Sequence, residues 1–208
     1  MKNVFRKLLY SIGLSLWLVA LAAAQDGLEP MTATVDLPQW ATAQPLFTNC
    51  GDACGSYNQQ DFLLVADSGG GPSAMPFTTN REGTLTKVLV PLLLESGSPA
   101  KMILHLLHPA TFFGGPGKPM ATLIQVGTIS GKKWKVIEYK PRKPIKLVAG
   151  ATYFLCATAR PNTDTVVAWA KNVTGDHDSL YVNLSGSSCN STDWAMWQNP
   201  TTTAYAVF

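Results

Sequence analysis

The residue types that most often carry out catalysis are sparse in this chain, and their spacing forms no catalytic motif. The sequence has three histidines, His105, His108 and His177. His105 and His108 are three positions apart on a predicted strand, so their side chains are expected on opposite faces, where they cannot share a metal ion. The sequence has neither Gly-x-Ser-x-Gly nor His-Glu-x-x-His, the patterns of a serine hydrolase and a zinc protease. We therefore predict that the protein is not an enzyme and needs no cofactor.

Acidic residues are the basis of two alternative interpretations, catalysis of glycoside hydrolysis and binding of a calcium ion. Glycoside hydrolysis needs two carboxylates facing each other across a cleft, and no spacing among the 13 Asp and Glu residues selects such a pair. Asp164, Asp176 and Asp178 are the candidate ligands for a structural calcium ion, which binds oxygen atoms. Asp176 and Asp178 also stand beside Gly175 in a segment typical of an ordinary turn. We favour the turn, and a secreted hydrolase is the least favoured function.

Basic residues are concentrated between positions 132 and 146, where seven Lys and Arg residues are opposed by Glu138 alone. Lys132, Lys133 and Lys135 surround Trp134, which predicts a strand with a charged outer face. One interpretation is a patch for an anionic polysaccharide or a lipid headgroup. The other, which we favour, is a solvated edge hairpin whose lysines prevent edge-to-edge aggregation.

Aromatic residues form the second set of binding candidates. Phe112 and Phe113 are adjacent in a predicted loop, where exposed rings are costly unless they are covered or used. Trp194 and Trp197 belong to a short segment near the end of the chain. Such rings can stack on sugars, so these four residues are the candidate glycan-binding residues. Each is also a candidate for packing, and Trp169, with strand residues on both sides, is predicted to lie in the core.

The first 24 residues predict export. Residues 1–7 carry Lys2, Arg6 and Lys7, and the apolar stretch that follows ends in three alanines at position 24. This is the pattern of a secretory signal peptide cleaved after Ala24. Its removal leaves 13 basic and 13 acidic residues, a balance that does not favour nucleic acid. We expect a secreted or cell-surface-associated protein with no transmembrane segment after cleavage.

The four cysteines favour disulfides, because exported proteins work in an oxidising environment. Four cysteines allow three pairings. Our preferred pairing joins Cys50 to Cys54 within one loop, and Cys156 to Cys189 between a strand and a late loop. A zinc site is the less favoured alternative, since only Cys50 and Cys54 are close in sequence.

The pattern of the remaining chain predicts an all-β protein. Residues 25–60 are expected to form an extended N-terminal arm and a Cys-containing loop, and residues 61–208 the domain itself. Strands are predicted at 61–66, 84–94, 101–107, 122–129, 134–139, 152–158, 165–170, 179–184, 194–197 and 204–208, with a hairpin-like connection at 159–164. About ten such strands predict an antiparallel two-sheet sandwich, jelly-roll-like, preceded by a cleaved signal peptide.

Several short runs in this domain occur in a recognisable order. They are Leu85-Thr86-Lys87-Val88-Leu89-Val90-Pro91-Leu92, the loop Gly115-Pro116-Gly117, the run from Ile145 to Leu155, Asn162-Thr163-Asp164-Thr165 before Ala168-Trp169, and Trp194 ahead of Ala204-Tyr205-Ala206-Val207. In this order they resemble the bacterial choice-of-anchor domain proteins, particularly the choice-of-anchor R type. The resemblance covers residues 61–208 and implies an exported β-sandwich, often held at the surface by a C-terminal sorting signal. It brings no catalytic residues. The last residues resemble a strand rather than such a signal, so we expect free secretion or non-covalent retention.

Export, fold class and surface residues together predict an exported, non-catalytic β-sandwich domain that binds extracellular polysaccharide or matrix material. The main alternative is a self-associating structural protein of the envelope or matrix.

Overall fold

A computed structural model describes residues 44–51, 54–66, 72–97, 102–109, 115–159, 164–173, 179–183, 188–190, 194–198 and 203–208. All of them belong to the unit Thr32–Phe208. The predicted signal peptide, the Phe112-Phe113 pair and the segment containing Asp176 and Asp178 lie outside the described residues.

The described residues form fourteen β-strands and no helix. The strands are β1 (Phe47–Thr48), β2 (Asn58–Ala66), β3 (Ser73–Thr78), β4 (Gly83–Leu85), β5 (Val88–Ser96), β6 (Met102–Leu107), β7 (Pro119–Val126), β8 (Lys135–Pro141), β9 (Ile145–Leu147), β10 (Thr152–Ala159), β11 (Val166–Lys171), β12 (Ser179–Asn183), β13 (Trp194–Gln198) and β14 (Ala206–Val207). The prediction of an all-β, antiparallel protein is confirmed.

Twelve of these strands form one large antiparallel sheet, which is nearly closed into a barrel. Its order is β1-β14-β5-β8-β7-β6-β10-β3-β12-β13, while β11 pairs with β5 and β2. β4 and β9 form a separate two-stranded sheet. The two-layer, jelly-roll-like sandwich stays a prediction.

The core lies on the inner face of the large sheet, because alternate residues of its strands point inward. β6 shows the period clearly: Met102, Leu104 and Leu106 are buried, and the two residues between them are half-buried. Trp169 of β11 is fully buried, which confirms the prediction. Its indole Nε1 donates a hydrogen bond to the Ala204 carbonyl at 2.8 Å, so the ring also connects β11 to the last segment of the chain.

The predicted hairpin between residues 152–158 and 165–170 is wrong. β10 pairs with β6 along one edge and with β3 along the other, so no edge remains for β11. β11 instead lies between β5 and β2. Connection length alone could not reveal this arrangement.

Other strand boundaries also differ from the sequence-based prediction. The predicted strand 84–94 is divided between β4 and β5, which belong to different sheets.

β3 was not predicted, since it contains Pro76 and follows three glycines. Among the described residues, β12 pairs with Ser73 and Ala74 and not with Pro76, which is consistent with a proline in this strand. Residues 47–60, predicted as a loop, contribute β1 and the start of β2.

Candidate functional site

The basic run between residues 132 and 146 is divided between the two ends of β8. Lys132 and Lys133 precede this strand, Lys135 begins it, and Arg142 and Lys143 follow it. A strand of seven residues spans roughly 20 Å at about 3.4 Å per residue. The run therefore forms two separate basic groups. The predicted edge hairpin is also wrong, since β8 is an interior strand between β5 and β7.

The first basic group consists of Lys132, Lys133 and Lys135, all of which are exposed. Lys135 Nζ donates a hydrogen bond to Ser130 Oγ at 3.0 Å. Trp134 lies between these lysines but is half-buried, with its ring 6.0 Å from the ring of Tyr57. Trp134 thus serves as packing that holds the lysines at the surface.

The other end of β8 opens into a groove of about 590 Å³. We call it the β7–β9 groove, because three neighbouring strands and one connection supply its lining. The lining residues are Met120, Ala121, Thr122 and Ile124 of β7, Pro141 of β8, Arg142 and Lys143 of the following connection, and Ile145 of β9. Most of these side chains are aliphatic, and Ile124 is 47% exposed.

Arg142 and Lys143, the rim cations, give the β7–β9 groove a positive rim. Both are exposed, and neither forms an ion pair with a described residue. Nearby, Lys140 Nζ lies 2.7 Å from Glu138 Oε1, so that acid is already engaged. No described acidic side chain lines the groove, which leaves the two cations available to an anionic group.

His105 adjoins the groove through Thr122. Its Nδ1 atom lies 3.0 Å from Thr122 Oγ1, and β6 and β7 pair these two residues directly. Burial lowers the pKa of His105 below its ordinary value, because desolvation disfavours the charged ring. His108 lies beyond the end of β6 and is exposed. The described part of the chain brings no three His, Cys, Asp or Glu residues together as a metal site.

Both predicted disulfides, Cys50–Cys54 and Cys156–Cys189, are present. Leu155 and Ala157 belong to the inner core, so Cys156 between them points to the outer face of β10. Each disulfide belongs to a small apolar cluster outside the main core. The first cluster contains Cys50, Cys54, Tyr57, Leu89, Ala170, Ala204, Ala206 and Phe208; the second contains Ala74, Leu107, Phe154, Cys156 and Cys189. The disulfides therefore hold loops over the outside of the sheet, a structural role.

Of the four predicted glycan-binding residues, the structure describes the side chain of Trp194. Trp194 is half-buried against the second of these clusters, so it acts there as packing. Trp197 pairs with Leu180 through the backbone of β13, and its side chain is outside the description. Phe112 and Phe113 also lie outside it, so their glycan-stacking role stays a prediction. Among the calcium candidates only Asp164 is described, and it is exposed beside the start of β11.

The aliphatic lining of the groove was not predicted from the sequence. In β7, Leu123 points into the core while Ile124 and Val126 are 47% and 45% exposed. A half-exposed strand normally alternates apolar and polar residues, whereas Leu123-Ile124 places apolar side chains on both faces. That breach of alternation is the signal that could have identified the groove.

No family model, curated protein or solved structure matches this chain. The resemblance to choice-of-anchor domains therefore stays a prediction. The two disulfides are typical of extracellular proteins. Within the described residues, no helix is long and apolar enough to span a membrane.

Proposed function

We propose that this chain is an exported, non-catalytic β domain that binds acidic polysaccharide or acidic matrix material outside the cell. The observation that carries the proposal is the pair of rim cations, Arg142 and Lys143, beside an open groove and without ion-pair partners among the described residues. A negatively charged ligand can neutralise them without displacing a described partner.

The separation of the two basic groups favours a polymer over a small anion. Lys132, Lys133 and Lys135 lie at one end of β8 and the rim cations at the other, roughly 20 Å away. That distance exceeds the Debye length of about 8 Å at physiological ionic strength, so a compact anion at one end gains little from the other. An extended acidic chain can contact both ends.

Export is part of the same proposal. The sequence predicts a signal peptide at residues 1–24, and two disulfides are expected to persist only where the environment is oxidising. An acidic polymer of the cell exterior would be accessible to the protein there.

Self-association is a second candidate function, favoured by the outermost strands of the large sheet. Among the described strands, β2 pairs only with β11, and β13 pairs only with β12. Leu64 of β2 is 50% exposed and Met196 of β13 is 52% exposed. Open edges with apolar side chains can pair with another copy.

The proposal is tested by measuring retention of the full secreted chain on polygalacturonate and on neutral dextran at low and high salt. We expect binding to polygalacturonate alone, and we expect high salt to abolish it. The Arg142→Gln/Lys143→Gln and Lys132→Gln/Lys133→Gln/Lys135→Gln variants should each weaken it. Retention on both polymers that is insensitive to salt and to these variants would refute the proposal.

A further inference from the structure

We infer that the β7–β9 groove accepts an aliphatic chain, so that its ligand is an acidic glycan carrying an alkyl or acyl substituent. The inference rests on the proposed function and narrows its ligand class. Such a ligand makes two types of contact. The rim cations bind its acidic group, and the aliphatic side chains of the groove pack against its hydrocarbon chain.

The described lining of the groove favours a hydrocarbon occupant over a bare sugar. Sugar rings pack on aromatic faces and exchange hydrogen bonds with polar groups, but none of the described lining residues of this groove is aromatic. Among the described lining residues Thr122 is the one uncharged polar residue, and its hydroxyl lies 3.0 Å from His105 Nδ1. Met120, Ile124 and Ile145 present hydrocarbon instead, and burial of hydrocarbon against hydrocarbon is favourable.

Among the described residues, none covers the outer face of β7 in the way that the outer faces of β5 and β10 are covered. The segment of Cys50 and Cys54 packs with Leu89 of β5, and Cys189 packs with Phe154 of β10. β7 lies between these regions in the sheet order, yet its Ile124 and Val126 are 47% and 45% exposed. An apolar strip that remains open between two covered regions is where an apolar ligand gains most by binding.

The charge and the volume of the groove both favour a ligand that joins an anionic group to an aliphatic chain. The Arg142 guanidinium and the Lys143 ammonium stand at its rim without ion-pair partners among the described residues, so the group attached to the chain is anionic. The volume of about 590 Å³ falls within the range of roughly 300–1,000 Å³ typical of ligand pockets. Beyond the rim, Lys146 is exposed and can contact a further acidic sugar.

The test is calorimetric titration of the full chain with three probes below their micelle concentrations. The probes are dodecyl glucuronide, methyl glucuronide, which lacks the chain, and dodecyl maltoside, which lacks the charge. We expect dodecyl glucuronide to bind at least tenfold more tightly than either of the others. In an octyl, decyl and dodecyl glucuronide series, affinity should rise up to about fourfold per buried methylene.

A matched pair of variants locates the effect. Ile124→Ser should weaken dodecyl glucuronide binding about tenfold. Leu64→Ser, which removes an equally exposed aliphatic side chain from β2, should leave that binding unchanged.

Three results would overturn the inference. Equal affinities for methyl and dodecyl glucuronide would show that the alkyl chain does not contribute to binding. The proposed function would then be tested separately, by retention on polygalacturonate. Equal affinities for dodecyl glucuronide and dodecyl maltoside would show that the negative charge of the ligand does not contribute to binding. A dimer in sedimentation velocity that Ile124→Ser dissociates and Leu64→Ser does not would assign the groove to a second copy of this chain.

Discussion

Asn49 and Tyr205 are hydrogen bonded to each other in both directions. The Tyr205 amide donates to Asn49 Oδ1 at 2.8 Å, and the Asn49 amide donates to the Tyr205 carbonyl at 3.3 Å. Asn49 Nδ2 also donates to the Thr203 carbonyl at 2.9 Å. One buried side chain therefore joins the segment of Cys50 to the last residues of the chain, although 156 positions separate Asn49 from Tyr205.

Replacing Asn49 should destabilise the fold strongly. Asn49→Ala leaves the Tyr205 amide and the Thr203 carbonyl without this partner in a buried place, which should cost about 2–4 kcal/mol. Asn58→Ala is the matched control, because the Asn58 side chain accepts from Gln60 and Asp61 at a more exposed position. Urea denaturation should show a loss for Asn58→Ala of less than about 1 kcal/mol. Equal losses would show that Asn49 does not join the two segments.

Alanine substitutions at Gly97 and Gly127 distinguish the cost of backbone strain from the cost of a steric clash. Both have positive φ, +92° and +87°. A Cβ atom at Gly97 would lie 2.8 Å from Thr165 Cα, whereas at Gly127 it would meet no atom within 4 Å. We expect Gly127→Ala to cost about 1–2 kcal/mol and Gly97→Ala about 3 kcal/mol or more. Midpoints of thermal unfolding provide the measurement. If Gly97→Ala is tolerated as well as Gly127→Ala, the contact between Gly97 and Thr165 is not as close as described.

The two disulfides should contribute unequally to stability. Cys156 and Cys189 are 33 positions apart, and Cys50 and Cys54 are four apart. Since a longer closed loop restricts the unfolded chain more, removal of the first should cost about 3–4 kcal/mol and removal of the second about 2 kcal/mol. Paired Cys→Ser variants, compared by guanidinium unfolding, test the order. The reverse order would mean that native packing, rather than chain entropy, sets the contributions.

Stability should fall in mild acid because of His105. Its ordinary pKa is 6.5, and burial lowers the pKa in the folded protein. As the pH falls below 6.5, the unfolded chain takes up a proton that the folded protein does not, so the free energy of unfolding decreases. The loss ends below the folded-state pKa.

His105→Gln should remove this part of the pH dependence, measured as the free energy of unfolding between about pH 7.5 and pH 5. His108→Gln, at an exposed position, is the control and should retain it. The same pH dependence in wild type and His105→Gln would refute the role of His105.

The sequence predicts those elements whose two faces differ in polarity. β6 and β8 correspond to the predicted strands 101–107 and 134–139, and their Met102, Leu104 and Ile137 side chains are buried. Both disulfide pairs were also the preferred ones. β3 was missed because Pro76 is typical of a break, whereas in the structure no described residue of β12 pairs with Pro76.

Long-range partners could not be predicted, because strand pairing depends on distant edges rather than on local pattern. The connection after β10 appeared to be a hairpin, yet both edges of β10 are occupied by β3 and β6. For the same reason, the positions of the basic residues in the candidate site could not be predicted from the sequence. Lys132 and Lys143 appeared to belong to one patch in the sequence, and the extended course of β8 places them at opposite ends.

The most direct measurement is the salt dependence of polygalacturonate binding for wild type and the Arg142→Gln/Lys143→Gln variant. If the rim cations bind the acid, wild-type affinity should fall steadily as salt increases, since screening weakens exposed charge contacts. The variant should bind at least tenfold more weakly at low salt and depend less on salt. Identical affinities and salt dependences would contradict the account, because the groove with its positive rim would then not be where the acidic ligand binds.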